Sequence, residues 1–384
     1  MRIICSEAIE EKILSGTRLS REEGLWLWRH GDLLELGQLA RRVRDRLHPE
    51  PAVTFVVDSN PNYTNVCITD CVFCAFYRKP GAAGGYTLTL EQVMAKIQRA
   101  AEQGATTVLL QGGHNPDLSL DYYLSLVRET RRRFPHVTPH FFTASEVTMM
   151  AQTSGLTVRE VLQHLKDAGQ VTLPGGGAEI LSDRIRRRLA TKKGPAEAWL
   201  SVHREAHRLG FRSTATMMFG HIEEDEDILE HLDRVRMLQD ETGGFTAFVP
   251  WTFKPGNTPL EQRIHQHAGP TAYLRMIAFS RLYLDNVPHV QASWFSEGKK
   301  TGQIALHFGA DDFGGTLFEE NVHAATSFVN TTTVEEVVAL IHESGFAAAQ
   351  RTTLYDILKT FDPPTACGVS PTTPNSTRRI PNSA

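Results

Sequence analysis

The sequence predicts an α/β fold: a (β/α)8 barrel of the TIM type, with a helical segment before it and a disordered tail after it. Three observations carry this. Strand-like and helix-like segments alternate through the middle of the chain, which implies parallel strands joined by crossover helices. Eight such units occur, the number that closes a barrel. Each strand-like segment also runs at its C-terminal end into glycines or polar residues, and in a barrel those ends gather at one mouth, where an active site forms.

Residues 6–47 read as helical. Ser20-Arg21-Glu22-Glu23 is a capping box, a hydroxyl followed three residues later by glutamate, and it precedes the apolar run Leu25, Trp26, Leu27, Trp28. The candidate strands follow: Ala52–Asp58, Thr106–Gln111, Val137–Phe142, Gln170–Leu173, Arg212–Phe219, Phe245–Trp251, His289–Trp294 and one near Asp312–Leu317. Val, Ile, Thr and aromatic residues fill most of them. Between them, one helix opens on the capping box Thr89 to Gln92 and stops at Gly104. A second opens on Thr157 to Glu160 and stops at Gly169, and a third runs from about Ala196 to Gly210. The expected division is a helical extension over 1–50, the barrel over 51–355 and a C-terminal segment over 356–384. From about Pro363 that segment is rich in Pro, Thr, Ser and Asn, the composition of a disordered tail. The extension is expected to cap the closed bottom of the barrel.

Composition excludes several classes. Hydrophobic residues make up 41% and charged residues 22%, ordinary for a globular chain. Forty basic against 44 acidic side chains give a net charge of −4, so neither nucleic acid nor an anionic membrane is expected as a partner. No apolar run approaches the ~18 residues of a membrane span, and the acidic residues soon after Met1 do not fit a secretory signal. Five cysteines, three of them in one short stretch, fit a reducing cytoplasm rather than a disulfide framework.

That stretch is Cys67-Ile-Thr-Asp-Cys71-Val-Phe73-Cys74, with C-x3-C-x2-C spacing. Three thiolates leave a tetrahedral zinc or a four-iron cluster one ligand short, and an open coordination position is what reactive metal sites keep. Cys5 and Cys367 lie near the two ends with no partner at ligand spacing. The trio reads as an iron–sulfur cluster with one iron free to bind something else. The alternative is a zinc knuckle closed by a histidine, but no His-rich segment follows at finger-like spacing.

The motif, on the loop after the first strand and with an aromatic before its last cysteine, resembles that of the radical S-adenosylmethionine (SAM) superfamily. The resemblance implies that Cys67, Cys71 and Cys74 hold a [4Fe–4S] cluster whose free iron binds S-adenosyl-L-methionine. One electron then cleaves the cofactor to methionine and a 5′-deoxyadenosyl radical. A one-electron donor such as flavodoxin or ferredoxin is implied as a partner. Phe73, Tyr77, Gln111, Gly112, Gly113, Thr143 and Glu179 are the implied cofactor contacts. The Gly112-Gly113 pair brings backbone up to the methionyl amine; alternatively it is a tight turn needing glycine φ angles. Glu179 hydrogen-bonds the cofactor or, equally, interacts with a helix dipole. Gly175–Gly177 approaches ribose or substrate, or is a bent loop. His114 and His221 stand at strand ends, the position that favours a functional role. A non-catalytic iron–sulfur sensor would not need decorated ends on every strand.

Further blocks resemble the dehypoxanthine futalosine cyclases of the futalosine route to menaquinone. They include Asn62–Cys67 running into Cys74–Arg78, Gln111–Pro116, Leu173–Ile180, Thr214–His221, Gln239–Phe245, Pro250–Phe253, Gln291–Trp294, Gly309–Gly314 and Glu319–Val322, within about 50–355. The implied reaction removes the ribose C4′ hydrogen of dehypoxanthine futalosine. The carbon radical adds to the substrate's aromatic ring, and loss of an electron and a proton leaves a spiro-cyclic product. A base must take that proton; His114, Glu179 and Asp312 are the candidates. Two stretches depart from the cyclases. Thr143-Ala144-Ser145-Glu146 is nearer to the sister enzymes aminofutalosine synthase and deazaflavin synthase, and Gln170-Val171-Thr172 replaces a usual Leu-Asp-Ser. A sister enzyme on a related substrate is the alternative.

Overall fold

A computed structural model describes residues 6–264 and 267–363. The expected tail falls almost wholly at 364–384, outside the described residues, as do Cys5 and Cys367. The first expected strand forms in two pieces, β1 (Ala52–Val56) and β2 (Asp58–Ser59). The others are β3 (Thr107–Leu110), β4 (Thr138–Phe141), β5 (Thr172–Leu173), β6 (Arg212–Phe219), β7 (Phe245–Thr252), β8 (His289–Val290) and β9 (Asp312–Gly315).

All neighbouring pairs are parallel. β2 pairs with β3, β3 with β4, β5 with β6, β6 with β7, and β7 with β8. A single bridge, Gln291 to Asp312, joins β8 to β9, and β9 closes the ring on β1. No backbone ladder joins β4 to β5. Side chains do so instead: His140 Nδ1 lies 2.9 Å from Thr172 Oγ1, and the Gln170 amide donates to the Phe141 carbonyl at 2.8 Å. The barrel expected from the alternation is therefore present. The capping boxes at Ser20, Thr89 and Thr157 all form, and the helices they open end before glycines or polar caps as read from the sequence.

Two further strands were not legible. β10 (Ala347–Arg351) pairs in parallel with β1, and β11 (Ile357–Phe361) folds back antiparallel on β10, at the start of the expected C-terminal segment and before its tail. Ala347-Ala348-Ala349 is poor in strand formers, so its conformation is set by its neighbours rather than by propensity. β10 carries Arg351 into the barrel, where its guanidinium pairs with the buried Asp312. Asp312 also accepts from Thr54 Oγ1 at 2.6 Å and from Gln291 at 3.0 Å.

The N-terminal helices run along the flank and reach the lower rim. Helix Leu33–Leu47 packs on helix Pro270–Tyr283, and helix Arg21–His30 packs on helix Asp225–Thr242, where the Trp28 indole donates to Asp225 at 2.8 Å. At the lower rim Arg18 donates to Asp285 at 2.8 Å, Ala40 packs against Gly309, Arg44 donates to the Ala52 carbonyl at 2.6 Å, and His48 Nε2 bonds the Pro288 carbonyl at 2.9 Å.

A buried ion pair fixes that rim. Arg281 is fully buried and donates to the Gly309 and Pro288 carbonyls and to Asp311. Asp311 also accepts from the Val290 amide at 2.9 Å and contacts His289 Nδ1 at 2.5 Å. Burial alone would raise the Asp311 carboxyl, but Arg281, His289 and His48 more than offset it and hold it well below the usual carboxylate range. Removing one partner of such a pair leaves an uncompensated buried charge. Arg281→Met is expected to cost about 3–5 kcal/mol in urea unfolding at pH 7. Because the Asp311 pKa is depressed on folding, its contribution is present above the unfolded value of about 4 and lost as pH falls below it. The gap between wild type and Arg281→Met should therefore narrow in acid.

Candidate active site

The loop between β2 and helix Leu90–Glu102 carries the three cysteines, and its backbone is pinned on three sides. The Cys67 amide donates to the Arg78 carbonyl at 2.8 Å, Ile68 to His114 at 3.1 Å and Val72 to Leu189 at 3.0 Å. Cys67 and Cys71 are buried and Cys74 is half-buried. All three face a cavity of about 180 Å³. Phe73, Tyr77, Gln111, Gly112, Gly113, His114, Thr143 and Glu179 line the same cavity, so the structure brings these sequence-predicted residues together.

The thiols do not converge as ligands of one ion would. Among the described residues, the one set of three His, Cys, Asp or Glu donor atoms close enough to share a single ion is His48, His289 and Asp311, at the opposite end of the barrel. The wider spacing of the cysteines fits a multinuclear cluster, whose thiolates sit on different irons, better than a lone zinc. Burial pushes the Cys71 thiol up to about 11 and raises Cys74 too, so each stays protonated at neutral pH until a metal supplies positive charge. Lys193 supplies some already. Its ammonium lies 2.7 Å from Glu179 Oε1 and 5.5 Å from the centre of the Phe73 ring. Burial opposes its charge, but Glu179 and Cys71 outweigh that and raise its pKa.

The Gly112-Gly113 turn is pressed against the cysteine loop. A Cβ at Gly113 would lie 2.2 Å from the Val66 carbonyl oxygen, and one at Gly112 would lie 2.5 Å from the Tyr63 ring. Glu146 holds the turn in place: its carboxylate accepts from the Gly112 amide at 2.9 Å, from the Tyr63 hydroxyl at 2.6 Å, and from the Thr143 amide and hydroxyl, each at 2.7 Å. Burial pushes the Glu146 pKa up, and these donors offset part of that rise. Thr143 is at once the N-cap of helix Ala144–Ser154 and a wall of the cavity.

Other expected residues fare differently. His114 is buried, and burial with nearby Lys193 pushes its pKa down to about 3, so it is neutral across the physiological range. Asp312 does not join the group; bound by Arg351, Thr54 and Gln291 inside the barrel, it is an ion-pair anchor with no free lone pair for a proton. His221 turns to Glu223 and the Met218 carbonyl, and it lines neither cavity.

A second cavity of about 220 Å³ continues into the lumen. TIM-type interiors are usually filled by layers of side chains. Here many inward positions are small or polar, among them Asp58, Thr107, Gly175, Thr214, Thr216 and Gly315, and they leave room. Gln111, Gly176, Glu179, Trp251 and Val322 line both cavities and mark where they adjoin. Sequence reasoning missed the roles of Glu146 and Lys193. Glu146 had a signal, since Thr143-x-x-Glu146 is a capping-box pattern. Lys193 had none, because the 3₁₀ turn Thr191–Lys193 that carries it touches the cysteine loop only in the folded chain.

Because a methyl at Gly113 would have to displace the Val66 backbone and the Cys67 Cβ, Gly113→Ala should lose most of the iron bound after anaerobic reconstitution. Gly269→Ala, where nothing lies within 4 Å of the added carbon, should bind iron as wild type does. Iron and sulfide analysis checks both.

The pattern of the Radical SAM superfamily matches residues 61–235, and that of the CofH/MqnC C-terminal region matches residues 242–363. The chain is 42% identical over 356 residues to the cyclic dehypoxanthine futalosine synthase of Halalkalibacterium halodurans, covering 93% of this chain and 96% of that one. It is 40% identical over 358 residues to the aminodeoxyfutalosine synthase of Thermus thermophilus, covering 92% and 96%. Among solved structures it is similar to methylornithine synthase, with a TM-score of 0.69 at 17% identity, covering 88% of this chain and 96% of that one, which supports the fold alone. Fold, thiol geometry and these likenesses agree: the chain belongs to the radical SAM superfamily of enzymes, with a [4Fe–4S] cluster and S-adenosylmethionine as the cofactors that the family implies.

Proposed function

We propose that the protein cyclises dehypoxanthine futalosine by S-adenosylmethionine radical chemistry, as a step toward menaquinone. The observation that carries the reading is the pair of adjoining cavities, one lined by the three thiols and the Gly112-Gly113 turn, the other running into the lumen. The near full-length likeness to a cyclic dehypoxanthine futalosine synthase supports this choice of substrate.

Cys67, Cys71 and Cys74 would hold the cluster, which when bound supplies the electron that cleaves S-adenosylmethionine to methionine and a 5′-deoxyadenosyl radical. Gln111 and the Gly112-Gly113 backbone offer polar atoms to the methionyl group, and Glu146 keeps that turn from moving. Glu179, steadied by Lys193, faces both cavities and is placed to hydrogen-bond cofactor or substrate. Trp251 and Val322 stand at the junction and exclude water from the path between cofactor and substrate ribose. The C4′ hydrogen leaves the substrate there, the carbon radical closes on the aromatic ring, and loss of one proton and one electron completes the spiro product. A small acidic flavoprotein or ferredoxin supplies the reducing electron, and the setting is the cytoplasm. No helix among the described residues is long and apolar enough to cross a membrane.

A second reading has one observation in its favour. Thr143 and Ser145, in the stretch that resembles the sister enzymes, line the cofactor cavity, which suits an aminofutalosine-type synthase. One anaerobic assay separates the two. Reconstituted protein, dithionite and S-adenosylmethionine are incubated with dehypoxanthine futalosine and analysed by mass spectrometry. The expected result is 5′-deoxyadenosine with a product two hydrogens lighter than the substrate. 5′-Deoxyadenosine with untouched substrate would move the assignment to a sister reaction.

A further inference from the structure

The lumen cavity holds polar groups that the protein leaves unsatisfied. Asn60 Oδ1, His323 Nδ1 and Tyr355 Oη are buried without a hydrogen-bond partner, and all three residues line this cavity. Buried polar groups are nearly always paired, so three such orphans in one wall show that the protein leaves the polarity around this chamber incompletely balanced. Asp58 stands among them, 3% exposed. One carboxylate oxygen accepts the Leu317 amide at 2.8 Å; the Thr316 amide is close enough to favour the charge but is bonded to the Val56 carbonyl, and no side-chain donor pairs with the other oxygen among the described residues. The other acids at this site are occupied: Glu179 is tied to Lys193, Asp312 to Arg351, and Glu320 accepts the amides of residues 322–324.

We propose that Asp58 is the proton acceptor of the cyclisation, a role that rests on the cyclase reading above. Once the C4′ radical has added to the ring, the attacked ring carbon still carries its hydrogen. That C–H bond breaks, its proton passes to the free oxygen of Asp58, and its electron pair returns to the ring. The ring, now a radical anion, gives one electron to a one-electron acceptor of the iron–sulfur or flavin class and is aromatic again. The charges that face Asp58 are Arg351 from β10 and Asp312 from β9. Across the cavity stand His140 from β4, Glu179 after β5, and Glu320 and His323 from the loop after β9. Burial holds His140 and His323 neutral, pushing them to about 3 and about 4. Burial also pushes the Asp58 carboxyl up to about 7, with Leu317 and Arg351 offsetting part of the rise and Asp312 adding to it. A base with a pKa near the working pH suits the task. Gly315 makes room for it, since a Cβ there would lie 2.2 Å from both carboxylate oxygens.

The test compares wild type, Asp58→Asn, Asp58→Glu and Gly315→Ala in the anaerobic assay with dehypoxanthine futalosine. Asp58→Asn should still release 5′-deoxyadenosine, while cyclised product per 5′-deoxyadenosine falls by about 100-fold or more, the usual worth of a general base. Asp58→Glu should recover part of it, and Gly315→Ala, which keeps the charge but displaces it, should resemble Asp58→Asn. The acid limb of the wild-type product rate, with its midpoint at about 7, should vanish in Asp58→Asn. An unchanged product ratio with an unchanged pH profile overturns the proposal. A second measurement needs neither cluster nor turnover. A carboxyl raised on folding makes the folded state less stable as pH climbs from the unfolded value of about 4 to the folded one. Cluster-free Asp58→Asn should therefore melt above wild type at pH 8 and together with it at pH 4. Equal melting at pH 8 counts against a raised carboxyl and so against the role. Wild type that yields 5′-deoxyadenosine but no cyclised product overturns the cyclase reading itself, and this role with it.

Discussion

The buried carboxylate of Glu146 is the tie on which the mouth of this barrel depends. It gathers Tyr63 from the loop after β2, Gly112 after β3 and Thr143 after β4, three successive strand ends that share no backbone ladder at that height. Taking an isolated carboxylate out of water costs several kcal/mol. Four donors, each worth roughly 1.5–3 kcal/mol when the acceptor is charged, offset that cost only if all stay in place. The group therefore works as a unit: moving any one strand end would leave the charge under-satisfied and loosen the other two. The cysteine loop inherits this rigidity, because the Gly113 amide donates to the Thr64 carbonyl at 2.9 Å and the glycine has no side chain to hold the loop away.

The lumen obeys a different constraint. A barrel filled by large apolar layers would be more stable and would have no room for a substrate. This one keeps small and polar side chains along the inner face and balances the buried charge by setting Arg351 beside Asp312 from β10, a strand added on the edge of β1 opposite β9. Two buried polar groups fix the rims, the Arg281–Asp311 pair below and the Glu146 group above, and the space between them is left open.

Much of this was legible in the sequence, for physical reasons. Alternating strand and helix patterns, glycines at strand ends and hydroxyl–acid capping boxes are local signals, and local signals survive folding. The clustering of Cys67, Cys71, Cys74, Gln111 and Gly113 followed from the rule that strand ends share a mouth. What failed was long-range. β10 is alanine-rich and gains its strand conformation from β1, almost the whole chain away. Asp312 looked like a free acid because its partner lies on that unforeseen strand. Lys193 and Asp58 matter through their neighbours in space, and nothing in residue type or spacing announces those neighbours.

The late position of β10 has a consequence for assembly. Its register sets Ala52 beside Ala347, so one of the first strands made waits for one of the last. The entropy of closing so long a loop rises only as the logarithm of its length, and the wait is a matter of order more than of free energy. During synthesis the cysteine loop and its glycine turn are complete long before Arg351 leaves the ribosome, and until then Asp312 has no guanidinium beside it. The residues around the three thiols are thus made well before those, from Gly315 to Tyr355, that complete the wall of the lumen cavity.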